Sequence, residues 1–174
     1  MGYGCIVIAN SKNGIVPAII RFITKGPSHS LITIPDSVGV PMCMEAADVG
    51  IAVLRFDKGY TQNADQEISI FEVNVPDVVK DKAIAVCFDR LETSYGFLEL
   101  PWFIWRSLNK LFGKDIKKND NWSQNGTICS ELCRLYLTEC GLGYLFDGFG
   151  KSSLNAKDLQ DILLANPQLF TLSN

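Results

Sequence analysis

The order of strand and helix candidates along the chain is the feature that most constrains its fold. Short apolar segments typical of strands dominate residues 1–75, whereas segments with apolar residues at helical spacing dominate the remainder. Strands are predicted at 5–9, 29–34, 42–47, 51–56 and 68–75. Helices are predicted at 15–24, 75–92, 103–113, 127–141 and 153–167. This order predicts an α+β fold, in which helices cover one side of a mostly antiparallel sheet.

Length and composition indicate one domain over 1–174 and exclude several classes of protein. The net charge is −3 without a basic block, so nucleic acid is not an expected partner. The most apolar stretch, 96–105, is interrupted by Glu99 and Pro101, so we expect no transmembrane segment. The first residues lack the basic start and apolar run of a secretion signal, which favours a cytoplasmic location.

One of the six cysteines has a distinctive position in the sequence. Their uneven spacing in a chain of this size predicts free thiols, most of them buried: Cys5, Cys43, Cys87, Cys129, Cys133 and Cys140. In NGTICSELCRLYL, however, Cys129 falls in the first turn of the helix predicted at 127–141. Unpaired amides and the helix dipole there favour a thiolate and could hold an oxyanion. The alternative, a small core residue at a helix start, stays open.

The one histidine of the chain, His29, is the candidate base. It stands in GPSHSLITI, where a turn enters a predicted strand. A cysteine nucleophile usually needs such a base, although a hydrogen-bonded structural histidine fits the same position. Because there is a single histidine and no CxxC spacing, we expect no metal site.

Glu45, in MCMEAADVG, is the candidate group for orienting the histidine. It lies on the next predicted strand, where hairpin pairing would bring it beside His29. An acidic residue among Met42, Met44 and Ala46 needs a partner if it is buried. Strand alternation that points Glu45 to solvent is the open alternative.

Five segments together resemble one family of hydrolases. They are GYGCIVIANSKNGIVPAIIRFITKGPSHSLITI, VPMCMEAADVGIAVLRF, LETSYGF, GTICSELCRLYL and SLNAKDLQDILLANPQLF. The set resembles the circularly permuted NlpC-type papain-like cysteine hydrolases (YiiX/YaeF-like), in which the histidine precedes the cysteine. The CSEL segment at the predicted nucleophile helix is the most specific part of the likeness.

The resemblance implies a permuted papain-like fold and assigns a role to each candidate residue. Cys129 would be the nucleophile, His29 the base and Glu45 the orienting group, while Tyr95 would line the substrate site. The family hydrolyses or transfers acyl groups at amide, ester or thioester bonds without a cofactor, and related lineages act on cell-wall peptides or on lipid acyl chains. This sequence departs from the family pattern at Gly96, at Ile128 and in the longer segment 97–126.

The aromatic-rich insertion at 97–126 separates the functional hypotheses. Its tryptophans and phenylalanines are followed by lysines, which fits a lid or acyl-binding wall that touches a membrane surface through 97–112. A partner-binding patch and a helix packed on the core fit as well. The hypotheses are therefore an amidase or peptidase acting on a small peptide or amide, a lipid acyltransferase or thioesterase, and a binding module without activity.

Overall fold

A computed structural model describes residues 2–12, 15–47, 50–91, 129–150 and 154–173. In these ranges six strands form one antiparallel sheet in the order β4-β3-β2-β1-β5-β6. The strands are β1 Cys5–Ser11, β2 His29–Ser37, β3 Val40–Ala47, β4 Gly50–Arg55, β5 Gln66–Val73 and β6 Phe170–Ser173. The helices are α1 Ile15–Thr24, α2 Asp77–Phe88, α3 Cys129–Leu137 and α4 Ala156–Ala165. The predicted α+β fold with an antiparallel sheet is confirmed.

Strand β1 runs through the middle of the sheet and is buried on both faces. Ile6 and Ile8 join the large core cluster beneath the helices, whereas Val7 and Ala9 join a smaller cluster on the opposite face. Double burial explains the uninterrupted apolar run CIVIA, since neither face of the strand has to meet water.

Helices α2, α3 and α4 cover the large face of the sheet. The buried side chains of α2 follow the i, i+3, i+4, i+7 spacing and are Lys80, Ala83, Ile84 and Cys87. Val79 and Leu91 are partly buried and pack against the same core. Lys80 joins the buried side because its aliphatic stem is buried while its Nζ lies 3.5 Å from Asp77 Oδ1.

Residues 35–41, between the strands predicted at 29–34 and 42–47, form a β-hairpin. Strand β2 continues to Ser37 and β3 begins at Val40, with Val38 and Gly39 as the two turn residues. Both have positive φ angles, 54° and 74°, as a two-residue hairpin turn requires. The register shifts between Ile34 and Ser37, where Pro35 cannot donate a hydrogen bond to the ladder.

The last part of the chain differs from the predicted elements at the end of α3, at the start of α4 and in strand β6. Helix α3 is α-helical to Leu137 and continues as a π-helical turn, Thr138–Leu142, in which Gly141 has a φ of 82° and stops the helix as predicted. Helix α4 begins after Asn155, which forms a capping box with Asp158. Strand β6 was not predicted, because four residues at a sheet edge carry little periodic signal.

Helix α3 is held in place near both of its ends. The Ser130 hydroxyl donates to the Leu154 carbonyl at 2.6 Å, and the Tyr136 hydroxyl donates to the Gly4 carbonyl at 2.9 Å. All four residues are buried. The first residue of the helix is therefore fixed relative to the sheet. Among the described residues, none of the helices is both long and apolar enough to cross a membrane.

Candidate active site

The pairing of β2 with β3 brings His29 beside Glu45. Leu31 is directly opposite Glu45, and His29 lies two residues before Leu31 on the same face, so the two side chains are diagonal neighbours. His29 Nε2 is 2.9 Å from Glu45 Oε2. The Glu45 residue is only 7% exposed, so its side chain does not take the solvent-facing alternative.

A second hydrogen bond to the same carboxylate comes from Tyr60. This residue lies on a π-helical turn, Asp57–Thr61, that follows β4, and its hydroxyl donates to Glu45 Oε2. Its ring is stacked parallel to that of His29, with centroids 6.5 Å apart, and also against Phe56 at 5.6 Å. The Tyr60 ring, packed against Phe56, thus covers one side of the imidazole–carboxylate pair on the smaller face of the sheet.

These contacts keep Glu45 ionised. Burial raises the pKa of the Glu45 carboxyl, but the hydrogen bonds and charge of His29 and the Tyr60 hydroxyl outweigh burial and hold that pKa below its ordinary value. Burial and the charge of Glu45 raise the pKa of Tyr60, so its hydroxyl remains protonated and donates. The arrangement is a buried carboxylate with two matched donors.

Cys129 is the first residue of α3, and this helix packs against β2 and β3, the strands that carry His29 and Glu45. Burial raises the pKa of the Cys129 thiol. The charge of His29, a hydrogen bond with its imidazole and hydrogen bonds from Ser30 lower that pKa by more than burial raises it. The pKa of Cys129 therefore lies below the usual cysteine value. Cys129 and His29 are therefore in contact, although they are one hundred residues apart in the sequence.

The imidazole of His29 lies between the thiol and the carboxylate. Because Nε2 is paired with Glu45, Nδ1 is the ring nitrogen that remains for the sulfur. Burial lowers the pKa of His29, yet the Cys129 thiolate and the Glu45 carboxylate raise it well above the ordinary histidine value. The side chain is 23% exposed, so the pair is open to solvent on one side. Such a site favours a thiolate–imidazolium pair at neutral pH.

Ser30 supplies a further contact to the sulfur. The ladder between β2 and β3 begins at Leu31, and the amide of the preceding Ser30 donates to Cys129. The fully buried Ser30 hydroxyl makes no hydrogen bond to a nitrogen or oxygen atom of the described chain, and it lies beside the sulfurs of Cys129 and Cys133. The amide and the hydroxyl of Ser30 therefore both stabilise the Cys129 thiolate.

The other five cysteines lie in a different environment. All six are free thiols, and all but Cys129 are buried. Burial raises the pKa of each of the buried thiols: Cys5, Cys43, Cys87, Cys133 and Cys140. Cys129 is thus distinguished by partial exposure and by a lowered pKa.

Sequence reasoning brought forward Cys129, His29 and Glu45, and these three lie together. It missed Tyr60 and Ser30. The one available signal for Tyr60 was its i, i+4 spacing from Phe56 in an otherwise polar segment; Ser30 gave no signal beyond its place after His29. Tyr95, the insertion 97–126 with its membrane-contact stretch 97–112, the helix predicted at 103–113 and Ile128 lie outside the described residues.

Within the described ranges, no group of three or more histidine, cysteine, aspartate or glutamate side chains is placed to hold a metal ion. No protein-family model matches the chain, and no curated protein matches it.

Proposed function

We propose that this protein is a cysteine hydrolase of the amidase or peptidase type, with Cys129 as nucleophile, His29 as acid and base, and Glu45 as the group that orients the histidine. The observation that supports the proposal most strongly is the position of the His29 imidazole, in contact with the Cys129 thiol and 2.9 Å from Glu45. A thiolate needs such a partner both to form and to pass a proton to a leaving group.

The reaction proceeds through a thioester. The Cys129 thiolate attacks the carbonyl carbon of the amide, and the carbonyl π electrons move to the oxygen. When the oxyanion collapses, the C–N bond breaks and the amine leaves with the proton of the His29 imidazolium. A water molecule then gives a proton to His29 and attacks the thioester, and the C–S bond breaks to release the acid and the thiolate.

Backbone amides at the start of α3 support the oxyanion in this scheme. The first amides of a helix have no carbonyl partner within the helix, and the Cys129 amide is adjacent to the attacking sulfur. Donors already in place where negative charge develops contribute the largest stabilisation in acyl transfer. The chemistry uses no metal and no cofactor.

The fold expected for such an enzyme is the circularly permuted papain-like one. The chain order His29, Glu45, Cys129 and the packing of α3 against β2 and β3 agree with that arrangement. Because catalysis depends on geometry, an order opposite to that of papain is compatible with the same mechanism.

Trapping of the acyl-enzyme tests the proposal directly. The protein is mixed with p-nitrophenyl acetate, quenched in acid within the first turnover and analysed by intact mass and peptide mapping. We expect one acetyl group on Cys129, none in Cys129→Ala, and slow acetylation in His29→Ala. Cys133→Ala is the matched control, because it removes a neighbouring buried thiol of the same helix and is expected to leave acetylation of Cys129 in place.

Acetylation spread evenly over the thiols, or a His29→Ala variant acetylated as fast as the parent, would rule out this catalytic site. A panel of aminoacyl p-nitroanilides then distinguishes amide hydrolysis from simple ester cleavage. Release of p-nitroaniline that depends on both Cys129 and His29 is the result expected of an amidase.

A further inference from the structure

A polar cleft lies next to the candidate active site and is not used by the steps above. It has a volume of about 430 Å³ and opens between the end of α1, the start of β2 and the adjoining parts of β1, β5 and α4. Charged and polar side chains dominate its lining: Asn10, Arg21, Lys25, Glu67, Ser69 and Gln160.

The cleft and Cys129 are close to each other because neighbouring residues of strands β1 and β2 contact one or the other. Its floor includes Ile8, which is paired directly with Ser30, the residue whose amide donates to Cys129. Paired residues on adjacent strands lie on the same face, roughly 5 Å apart. Pro27 in the cleft wall is two residues before His29, and so its Cα is within about 7 Å of the His29 Cα. A substrate of a few residues can therefore contact both the cleft and the Cys129 thiol.

Two cations of the cleft have no carboxylate partner within the described part of the chain. Arg21 donates from Nη2 to the Lys12 carbonyl at 3.4 Å, and neither Arg21 nor Lys25 forms an ion pair there. The one acidic side chain in the lining, Glu67, lies 3.3 Å from Lys12 Nζ and also accepts from the Asn10 side chain at 3.5 Å. The cleft is thus left with positive charge that is not compensated.

Lys25 holds its position at a conformational cost. It ends α1 with a φ of 51°, in the left-handed region where glycine or asparagine usually ends a helix. Its amide donates to the Arg21 carbonyl at 2.8 Å, so the two cations that line the cleft lie one helical turn apart.

The cleft also offers an acceptor without a donor. Asn10 Oδ1 is buried and has no hydrogen-bond partner, whereas its Nδ2 donates to Glu67. A buried carbonyl oxygen left unpaired is costly, so little is lost when the Asn10 side chain rotates to turn this oxygen into the cleft, where an amide N–H of a ligand can satisfy it.

We infer that this cleft binds a carboxylate of the substrate through Arg21 and Lys25 and an amide N–H through Asn10, so that the preferred substrate is an acidic, peptide-like acyl compound. The inference rests on the proposed hydrolase function, because it assigns the cleft to the substrate of Cys129. Guanidinium and ammonium groups are the usual partners of a carboxylate, and the arginine can bind it with two parallel hydrogen bonds.

Matched alkylating probes test this inference at the active cysteine. N-iodoacetyl-β-alanine and its carboxamide differ only in the charge of the distal group and react with the same thiolate. The ratio of their rates at Cys129 is therefore independent of the thiol pKa. At low salt we expect the acid to react roughly three- to tenfold faster, since exposed ion pairs are individually weak. The preference is expected to fall with added salt.

Variants test whether the faster reaction of the acid probe depends on Arg21 and Lys25. The double substitution Arg21→Gln and Lys25→Gln is expected to bring the rate ratio close to one. Lys58→Gln with Lys82→Gln is the matched control, because it removes the same charge from exposed positions that do not line the cleft. A ratio equally reduced in both double variants, or unchanged in the first, would overturn the assignment of the cleft.

A binding measurement keeps the test separate from the chemistry of Cys129. In Cys129→Ala, titration with N-acetyl-β-alanine is followed by the backbone amide signals of Gly26 and by the side-chain amide signals of Asn10 and Gln160. We expect shifts with the acid that are much larger than those with its carboxamide. Equal or absent shifts would refute the cleft even if Cys129 is catalytic. Shifts without any selective reaction of Cys129 in the parent would refute the assignment of the cleft to a substrate of that thiol.

Discussion

The Glu45 carboxylate lies diagonally across the β2–β3 pair from His29, with Oε2 2.9 Å from the imidazole Nε2. A strand pair is a rigid support for this contact, because the spacing of the two side chains is set by the register of the ladder. The bond fixes the orientation of the ring and directs the other nitrogen toward the sulfur. Of all the contacts at the site, this one determines most directly whether the histidine can act on the thiol.

Glu45→Gln tests that contact. The glutamine keeps the size of the side chain but removes the charge that supports the imidazolium, so the Cys129 thiolate becomes less favoured at neutral pH. We expect the rate of alkylation of Cys129 by iodoacetamide at pH 6 to fall about tenfold, which corresponds to roughly one pKa unit. The loss of a buried hydrogen bond to a charged group should lower the free energy of unfolding by about 1.5–3 kcal/mol.

The control for this variant is Glu72→Gln on the exposed side of β5. This substitution changes the net charge by the same amount and should alter neither the alkylation rate of Cys129 nor the free energy of unfolding. An alkylation rate in Glu45→Gln equal to that of the parent at pH 6 would show that Glu45 does not act on the thiol through His29.

Tyr60→Phe removes the second donor to Glu45 and leaves the stacked ring in place. We expect a loss of about 1 kcal/mol in the free energy of unfolding at pH 7. The pKa of Glu45 is lowered by folding, so the stability it contributes is present above its unfolded pKa of about 4.3 and is lost as the pH falls through the lower folded value. The difference between parent and variant should therefore shrink below about pH 4.

Thermal or urea unfolding across pH 3–7 measures this difference. Tyr144→Phe, at an exposed tyrosine, is the control and should follow the parent at every pH. A difference between Tyr60→Phe and the parent that does not depend on pH would mean that the hydroxyl contributes packing or hydration and does not stabilise the carboxylate.

Local sequence signals predicted the parts of the fold whose burial is simple. The central strand β1 shows an apolar run because both faces are covered, and α1 was predicted with its observed bounds, 15–24. The hairpin at Val38 and Gly39 was missed because a β-branched residue rarely adopts positive φ, so the usual turn signal was absent. Strand β6 depends on its pairing with β5, which is distant in sequence.

The site was predictable to a similar extent. Helix position alone set Cys129 apart from Cys133 and Cys140, but its contact with His29 requires long-range packing that no local pattern encodes. The burial of Glu45 could not be decided from alternation, which places a residue on one of two faces without telling which face is covered. Tyr60 covers that face from the π-helical turn after β4. Because no sequence pattern predicts this packing, neither the contact of Tyr60 with Glu45 nor the burial of Glu45 could be predicted without the structure.

Gly4→Ala tests how firmly α3 is anchored to the start of β1. Gly4 has a φ of 72°, and an added Cβ would lie 2.6 Å from the Tyr136 hydroxyl oxygen and 2.8 Å from Lys80 Cδ. We expect a backbone penalty of about 1–2 kcal/mol in the free energy of unfolding. Displacement of Tyr136 should add about 1–3 kcal/mol.

Gly39→Ala separates these two effects. Gly39 has nearly the same φ, 74°, but nothing within 4 Å of an added Cβ, so it should show the backbone penalty alone. Chemical denaturation of both variants measures the difference. Equal losses would mean that the contact of Gly4 with Tyr136 does not constrain the helix.

The pH dependence of Cys129 alkylation tests the thiolate–imidazolium pair itself. An ordinary thiol has a pKa near 8.5, and its reaction with iodoacetamide slows about tenfold per pH unit below that value. Because the pKa of Cys129 is lowered and that of His29 is raised, we expect the rate in the parent to stay nearly constant from pH 8 to well below pH 7. In His29→Ala the imidazole no longer offsets the burial that raises the thiol pKa, and only the smaller contribution of Ser30 remains, so the rate should fall steeply below pH 8. Peptide mapping by mass spectrometry at each pH gives the rate for every cysteine, and Cys133→Ala should retain the parent profile at Cys129. A parent profile that already falls steeply below pH 8 would show that the imidazole does not stabilise the thiolate.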